Sequence, residues 1–101
     1  MSLGLYLHIP YCFSKCPGQR GVPRAYVDAL LRELSRFAPD APLRPDTLYF
    51  GGGTPSLLDP ADAARLIDAA QPLPGAEITL EANPETVTED SLRAFREAGV
   101  N

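Results

Sequence analysis

The sequence predicts an α/β protein in which parallel strands alternate with helices, three β-α units in succession. Three observations predict it. Short strand-like runs begin at Gly4, Thr47 and Glu77, and an amphipathic helical stripe follows each. The crossovers between them are long enough to carry a helix and return the chain in parallel. Each run also ends in a polar or Gly-rich loop, at Tyr11-Cys12, at Gly51-Gly52-Gly53-Thr54-Pro55 and at Glu81-Ala82-Asn83-Pro84-Glu85. A parallel α/β protein keeps its site at those strand ends. Three units make half of a six-stranded barrel or part of an open sheet. Either way, a parallel sheet that stops there leaves an edge to be covered, so the chain reads as a fragment of something larger.

Gly4 to Ile9 places Leu5, Leu7 and Ile9 on one side and Tyr6 and His8 on the other, and Pro10 stops it. Tyr11 to Arg20 is the cysteine loop. Val22-Pro23 opens the first helix, where proline suits the first turn. Val27, Leu30, Leu31, Leu34 and Phe37 then fall at offsets 0, 3, 4, 7 and 10, one apolar stripe. Arg24, Asp28, Arg32, Glu33 and Arg36 form its solvated remainder. Pro39, Pro42 and Pro45 make the next stretch a loop. Thr47-Leu48-Tyr49-Phe50 reads as a buried strand. Asp59 caps the second helix with Pro60 at its first position, and Ala63, Leu66, Ile67 and Ala70 form its stripe. Glu77 to Glu81 is the third strand. Thr88 caps a third helix carrying Leu92, Phe95 and Ala98, which Gly99 ends. Val100-Asn101 resembles the entry to a fourth strand.

The chain has 101 residues, room for one domain, and its 45% hydrophobic content is that of a globular protein. Its net charge of −4 and scattered basic residues give no support to a nucleic-acid partner. No stretch approaches the roughly eighteen apolar residues of a membrane span, and the N-terminus lacks the pattern of a signal peptide. Two cysteines are too few for a disulfide scaffold. A cytoplasmic protein is the expectation.

Two features stand out as carriers of chemistry. Three glycines after a strand let backbone approach a ligand closely, and Thr54 adds a hydroxyl, but the spacing fits neither the dinucleotide-binding nor the phosphate-loop pattern. The bland alternative is an ordinary turn. Cys12 and Cys16 admit several readings: inert thiols, an incomplete zinc site with His8, or iron–sulfur ligation, which usually takes three or four thiolates. Glu81, at a strand's carboxyl end, is placed to accept from ribose hydroxyls or an amino group. Tyr6, opposite Leu5 and Leu7, reads more readily as a core or barrel residue.

Taken together, Leu5-Tyr6-Leu7-His8-Ile9-Pro10-Tyr11-Cys12-x-x-x-Cys16-Pro17, Tyr49-Phe50-Gly51-Gly52-Gly53-Thr54-Pro55-Ser56-Leu57-Leu58 and Glu81-Ala82-Asn83-Pro84-Glu85 resemble one family. It is that of the radical S-adenosylmethionine (SAM) proteins related to oxygen-independent coproporphyrinogen III oxidase. Ser56-Leu57-Leu58 and Cys16-Pro17 lean toward its heme-chaperone branch. The resemblance runs from Leu3 to Asn101 and implies that residues 1–101 are the N-terminal part of a radical SAM domain, the first half of a partial (β/α)6 TIM-type barrel. It implies a [4Fe-4S] cluster held by a Cys-x3-Cys-x2-Cys loop, with Cys12 and Cys16 as the first two ligands. It also implies that Gly52, Gly53 and Thr54 contact the methionine part of SAM, with Tyr6 and Glu81 contacting the cofactor as well. No catalytic side chain is assigned. The oxidase branch decarboxylates porphyrinogen propionates; the chaperone branch binds heme and passes it on. Porphyrinogen or heme is the implied partner, together with a chain that completes the barrel.

The departures from the family pattern are specific. Gln19 stands where the third cysteine is expected and Gly18 where an aromatic precedes it. Pro17 to Gly21 alone bridge to the first helix, which reads as a deletion of about ten residues from the loop. Two thiolates and a hard amide are a poor set for an iron–sulfur cluster. The expectation is an oxidoreductase or chaperone by family, impaired in cluster binding and inactive alone.

Overall fold

The computed structural model describes residues 3–11, 22–37, 42–84 and 87–101, and within them all six expected elements form. They are β1 (Gly4–Ile9), α1 (Arg24–Phe37), β2 (Thr47–Gly52), α2 (Pro60–Ala70), β3 (Glu77–Leu80) and α3 (Glu89–Ala98). β2 runs two residues further than Phe50, into the glycines, and β3 stops one short of Glu81. A short 3-10 turn at Pro55–Leu57, not foreseen from the sequence, leads from β2 toward α2.

Local chemistry accounts for the helix ends. The Asp59 side chain accepts from the Ala61 N–H at 2.9 Å, with Pro60 in the first turn. Thr88 and Ser91 satisfy each other's backbone N–H groups in a capping box, and Gly99 closes α3 at φ 126°, where a side chain would be strained. Pro23 lies just before α1 rather than within it, and its carbonyl accepts from the Tyr26 N–H at 3.0 Å.

The sheet is parallel, in the order β1-β2-β3, with Tyr6 opposite Tyr49 and His8 opposite Gly51 on one side, and Tyr49 opposite Thr79 on the other. Strands consecutive in sequence are neighbours in space. When such crossovers share one hand, every helix lies on the same face of the sheet. The core obeys this: Leu7, Ile9, Leu48, Phe50 and Ile78 meet Val27 and Leu34 of α1, Ala63, Leu66 and Ile67 of α2, and Phe95 of α3 in one cluster. The opposite face carries Tyr6, His8 and Tyr49, and Tyr6 is 55% exposed. This three-stranded sheet is one-sided, and the described residues do not themselves close a barrel.

The helices are also joined by charge. Asp62 is 3% exposed yet ionically paired, to Arg65 at 3.1 Å and Arg24 at 3.8 Å, and Arg65 reaches Asp28 at 2.9 Å. A buried carboxylate requires such partners. Asp28, expected to be merely solvated, thus helps tie α1 to α2. Two apolar residues depart from their expected stripes. Phe37 is 76% exposed, because the core beneath α1 ends at Leu34. Leu92 is 53% exposed; it borders an open groove beside β3 with Leu80, Phe95 and Val100. Among the described residues no helix is long and apolar enough to cross a membrane.

Candidate cofactor site

The carboxyl ends of the three strands meet through the glycine loop. After Phe50 the chain keeps its strand pairing into Gly52, then turns at φ 117°, a conformation open to glycine. A Cβ at Gly52 would lie 2.8 Å from the Ile9 carbonyl oxygen and 2.9 Å from His8 Nδ1. The loop is therefore pressed against the end of β1.

Its backbone donors are all directed inward. The Gly53 N–H donates to the Ile9 carbonyl at 2.8 Å and the Thr54 N–H to the Tyr11 carbonyl at 2.6 Å. The Gly52 N–H donates to Glu81 Oε1 at 3.1 Å. Glu81 in turn follows β3 directly, its own N–H donating to the Phe50 carbonyl at 3.1 Å. Three consecutive N–H groups are thereby engaged within the protein. A loop that cradles phosphate presents such groups to its ligand. This one presents Glu81, a carboxylate, beside exposed backbone at Gly52 and Gly53. Its chemistry suits a cation with hydrogen-bond donors, such as a ligand ammonium, better than an anion.

Aromatic rings stand next to the loop on the uncovered face. Tyr6 and Tyr49 stack with centroids 5.7 Å apart and planes 13° apart, and Tyr6 also lies 6.2 Å from the His8 ring. Both tyrosines lean over Gly51, where a Cβ would fall 2.6 Å from the Tyr6 Oη and 2.8 Å from Tyr49 Cε1. Contact with the Glu81 carboxylate, together with slight desolvation, pushes the Tyr49 phenol above its ordinary pKa. Beneath β1, Tyr26 donates its hydroxyl to the His8 carbonyl at 2.6 Å and packs edge-on against Tyr11, and burial raises its pKa. Thr54 and Ser56 are buried where the loop enters the 3-10 turn, and Ser56 Oγ accepts from the Asn83 N–H at 3.3 Å, bridging the β2 and β3 loops.

Of the residues expected from sequence, Tyr6, Gly52, Gly53, Thr54 and Glu81 are brought together at these strand ends. Cys12 and Cys16, with Gln19, lie outside the described residues, as does Glu85. Among the described residues no group of three or more His, Cys, Asp or Glu side chains is placed to hold a metal. The sequence reading gave Tyr49 and Tyr26 no role at the site, and took Gly51 only as the first of the three loop glycines. Strict alternation put Tyr49 and Gly51 on the same face, but only the β1–β2 register sets Tyr6 beside them.

Comparison with known proteins gives the site its context. Heme chaperone HemW of Escherichia coli is 42% identical over 113 aligned residues, which cover 98% of this chain and 30% of that protein. The mitochondrial radical S-adenosyl methionine domain-containing protein 1 of Bos taurus is 38% identical, over 96% of this chain and 25% of its own. Oxygen-independent coproporphyrinogen III oxidase of Paracoccus denitrificans is 37% identical, over 99% of this chain and 26% of its own. The chain thus spans 25% to 30% of the length of these curated relatives. The alignment of 113 positions with HemW exceeds the 101 residues present, so that relative carries residues within the matched stretch that this chain lacks. No family model matches the chain, and no solved structure matches it significantly. Over the stretch it spans, the chain belongs to the radical SAM family, in the group that includes heme chaperones and oxygen-independent coproporphyrinogen III oxidases.

Proposed function

We propose that this chain forms the SAM-recognition end of a radical SAM barrel in heme or porphyrin metabolism. The observation that carries the proposal is the inward use of the Gly52, Gly53 and Thr54 N–H groups, which leaves the Glu81 carboxylate as the polar group at the loop. The amino group of SAM is the complementary partner, held by Glu81 and backbone at Gly52 and Gly53, with Thr54 and Tyr6 alongside. The one-sided sheet supports the barrel reading, because a barrel places all its helices outside and the other face of its strands within. A further segment or chain would complete it. An acidic, cytoplasmic protein is the accompanying proposal.

The iron–sulfur part of the family's cofactor set fits less well. Cys12 and Cys16 supply two thiolates, and Gln19 replaces the third with an amide. In the family, the reduced [4Fe-4S] cluster supplies the electron that cleaves SAM to a 5′-deoxyadenosyl radical. The donor set is one thiolate short of the three that the family's cluster loop supplies. SAM recognition and radical generation are separable in this chain.

Two measurements test this. Titration calorimetry under anaerobic conditions should register SAM binding that Glu81→Gln weakens, roughly tenfold if one charge-assisted hydrogen bond is lost. Reconstitution with iron and sulfide should give a weakly retained cluster whose iron content rises in Gln19→Cys. Absence of SAM binding, with or without iron and sulfide, would overturn the proposal. A second reading, heme binding and transfer, draws on the 42% identity to a heme chaperone and on Ser56-Leu57-Leu58. A Soret shift at micromolar heme is its expected signature, and an unchanged spectrum would count against it.

A further inference from the structure

Tyr49 has no part in the reading above, yet its place on the sheet is closely determined. It pairs with Tyr6 in the β1–β2 register and stacks on that ring. Gly51 leaves room for the Tyr49 ring to lean toward the carboxyl end of β2, and a methyl group there would strike it. On β3, Tyr49 is opposite Thr79, so Glu81 lies one step further along the same face. The register and this lean direct the phenol toward the Glu81 carboxylate, whose influence is the first cause of the raised Tyr49 pKa.

The Glu81 carboxylate thus has a backbone donor on one side and the Tyr49 phenol as its neighbour on the same face. The Gly52 N–H fixes one oxygen at 3.1 Å. A single hydrogen bond leaves a glutamate free to turn about its terminal torsion, which is broad. A second donor removes that freedom. The Tyr49 ring is itself steadied by Tyr6, so the donor is pre-oriented before a ligand arrives, and pre-orientation reduces the entropy lost on binding.

We propose that Tyr49 is a positioning residue, orienting Glu81 to receive the ammonium group of an amino-acid-bearing ligand at the Gly52-Gly53 loop. This rests on the SAM reading given above. Tyr49 acts on the amino-acid end of that ligand and has no bearing on its adenosine end.

The test uses Tyr49→Phe, which keeps the ring and its stack and removes only the hydroxyl, with Glu81→Gln and the double variant. In the protein without iron, ultraviolet titration of phenolate should show two tyrosines, Tyr26 and Tyr49, titrating above their ordinary range. One of the two signals should be absent in Tyr49→Phe and return toward ordinary in Glu81→Gln, with the Tyr26 signal left in place. With SAM as the probe, Tyr49→Phe should lose affinity about threefold to tenfold, the worth of one modest hydrogen bond. It should cause no further loss in the Glu81→Gln background. 5′-Methylthioadenosine, which lacks the amino acid, should bind Tyr49→Phe as it binds wild type. If Glu81→Gln weakens SAM and Tyr49→Phe does not, or if Tyr49→Phe weakens both ligands equally, the positioning role is wrong and the site reading stands. If the wild-type protein binds no SAM, both fall together.

Discussion

Replacing Gly51 and Gly52 by alanine, one at a time, should separate two kinds of crowding that look alike in the sequence. At Gly52 the new Cβ would stand 2.8 Å from the Ile9 carbonyl oxygen. That oxygen is backbone and already accepts from the Gly53 N–H, so yielding would break a hydrogen bond worth about 1 kcal/mol. The φ of 117° adds strain of about 1–3 kcal/mol for a residue with a side chain. Together, Gly52→Ala should cost roughly 2–4 kcal/mol. At Gly51 the nominal clashes, 2.6 Å to Tyr6 Oη and 2.8 Å to Tyr49 Cε1, meet only side chains, 55% and 38% exposed, which can swing toward solvent. The loss there is the aromatic stack, about 0.5–1.5 kcal/mol, offset by about 0.4–1 kcal/mol from a stiffer unfolded chain. Gly51→Ala should therefore lie within about 1 kcal/mol of wild type. At roughly 4–8 °C per kcal/mol for a chain of this size, Gly52→Ala should melt at least about 4 °C below Gly51→Ala. Thermal and urea unfolding followed by circular dichroism measure this. Equal stabilities, or Gly51→Ala as the weaker protein, would refute the claim that the backbone contact is rigid and the tyrosine contact soft.

Two further predictions concern charge. Asp62→Ala removes the buried carboxylate that joins Arg65 and Arg24, and should cost about 1–3 kcal/mol, with Asp62→Asn milder because one hydrogen bond survives. Urea midpoints of the two variants check the order. The Tyr49 and Tyr26 phenols are both raised on folding, so the stability they confer is whole below about pH 10 and is lost as pH rises through their folded values. The fall in urea midpoint between about pH 8 and about pH 11 should shrink in the Tyr26→Phe, Tyr49→Phe double variant; an unchanged fall would disprove it.

Much of the fold was legible because its signals are local. The Asp59 and Thr88 caps, the terminating Gly99 and the strand alternation each lie within a few residues of the feature they specify. Phe37 and Leu92 misled because helical spacing identifies a face but does not say where the partner layer ends. At the site, Gly52, Gly53, Thr54 and Glu81 could be named from motifs, while the inward direction of the loop N–H groups could not. That direction depends on Ile9 at the end of β1 and Tyr11 just beyond it, more than forty positions away in the chain. Tyr49 escaped notice for the same reason, since its neighbours come from all three strands.

A parallel sheet normally has both faces covered, since its strands are apolar on both sides. Here the face without helices bears Tyr6, His8, Thr47, Tyr49, Glu77, Thr79 and Glu81, with no aliphatic side chain among them. Water can wet it at little cost. The groups suited to holding a ligand are thus the same groups that keep an open sheet from sticking to its own copies. Substitutions that make the site greasier would be selected against twice, once for recognition and once for solubility, whether or not the radical chemistry survives.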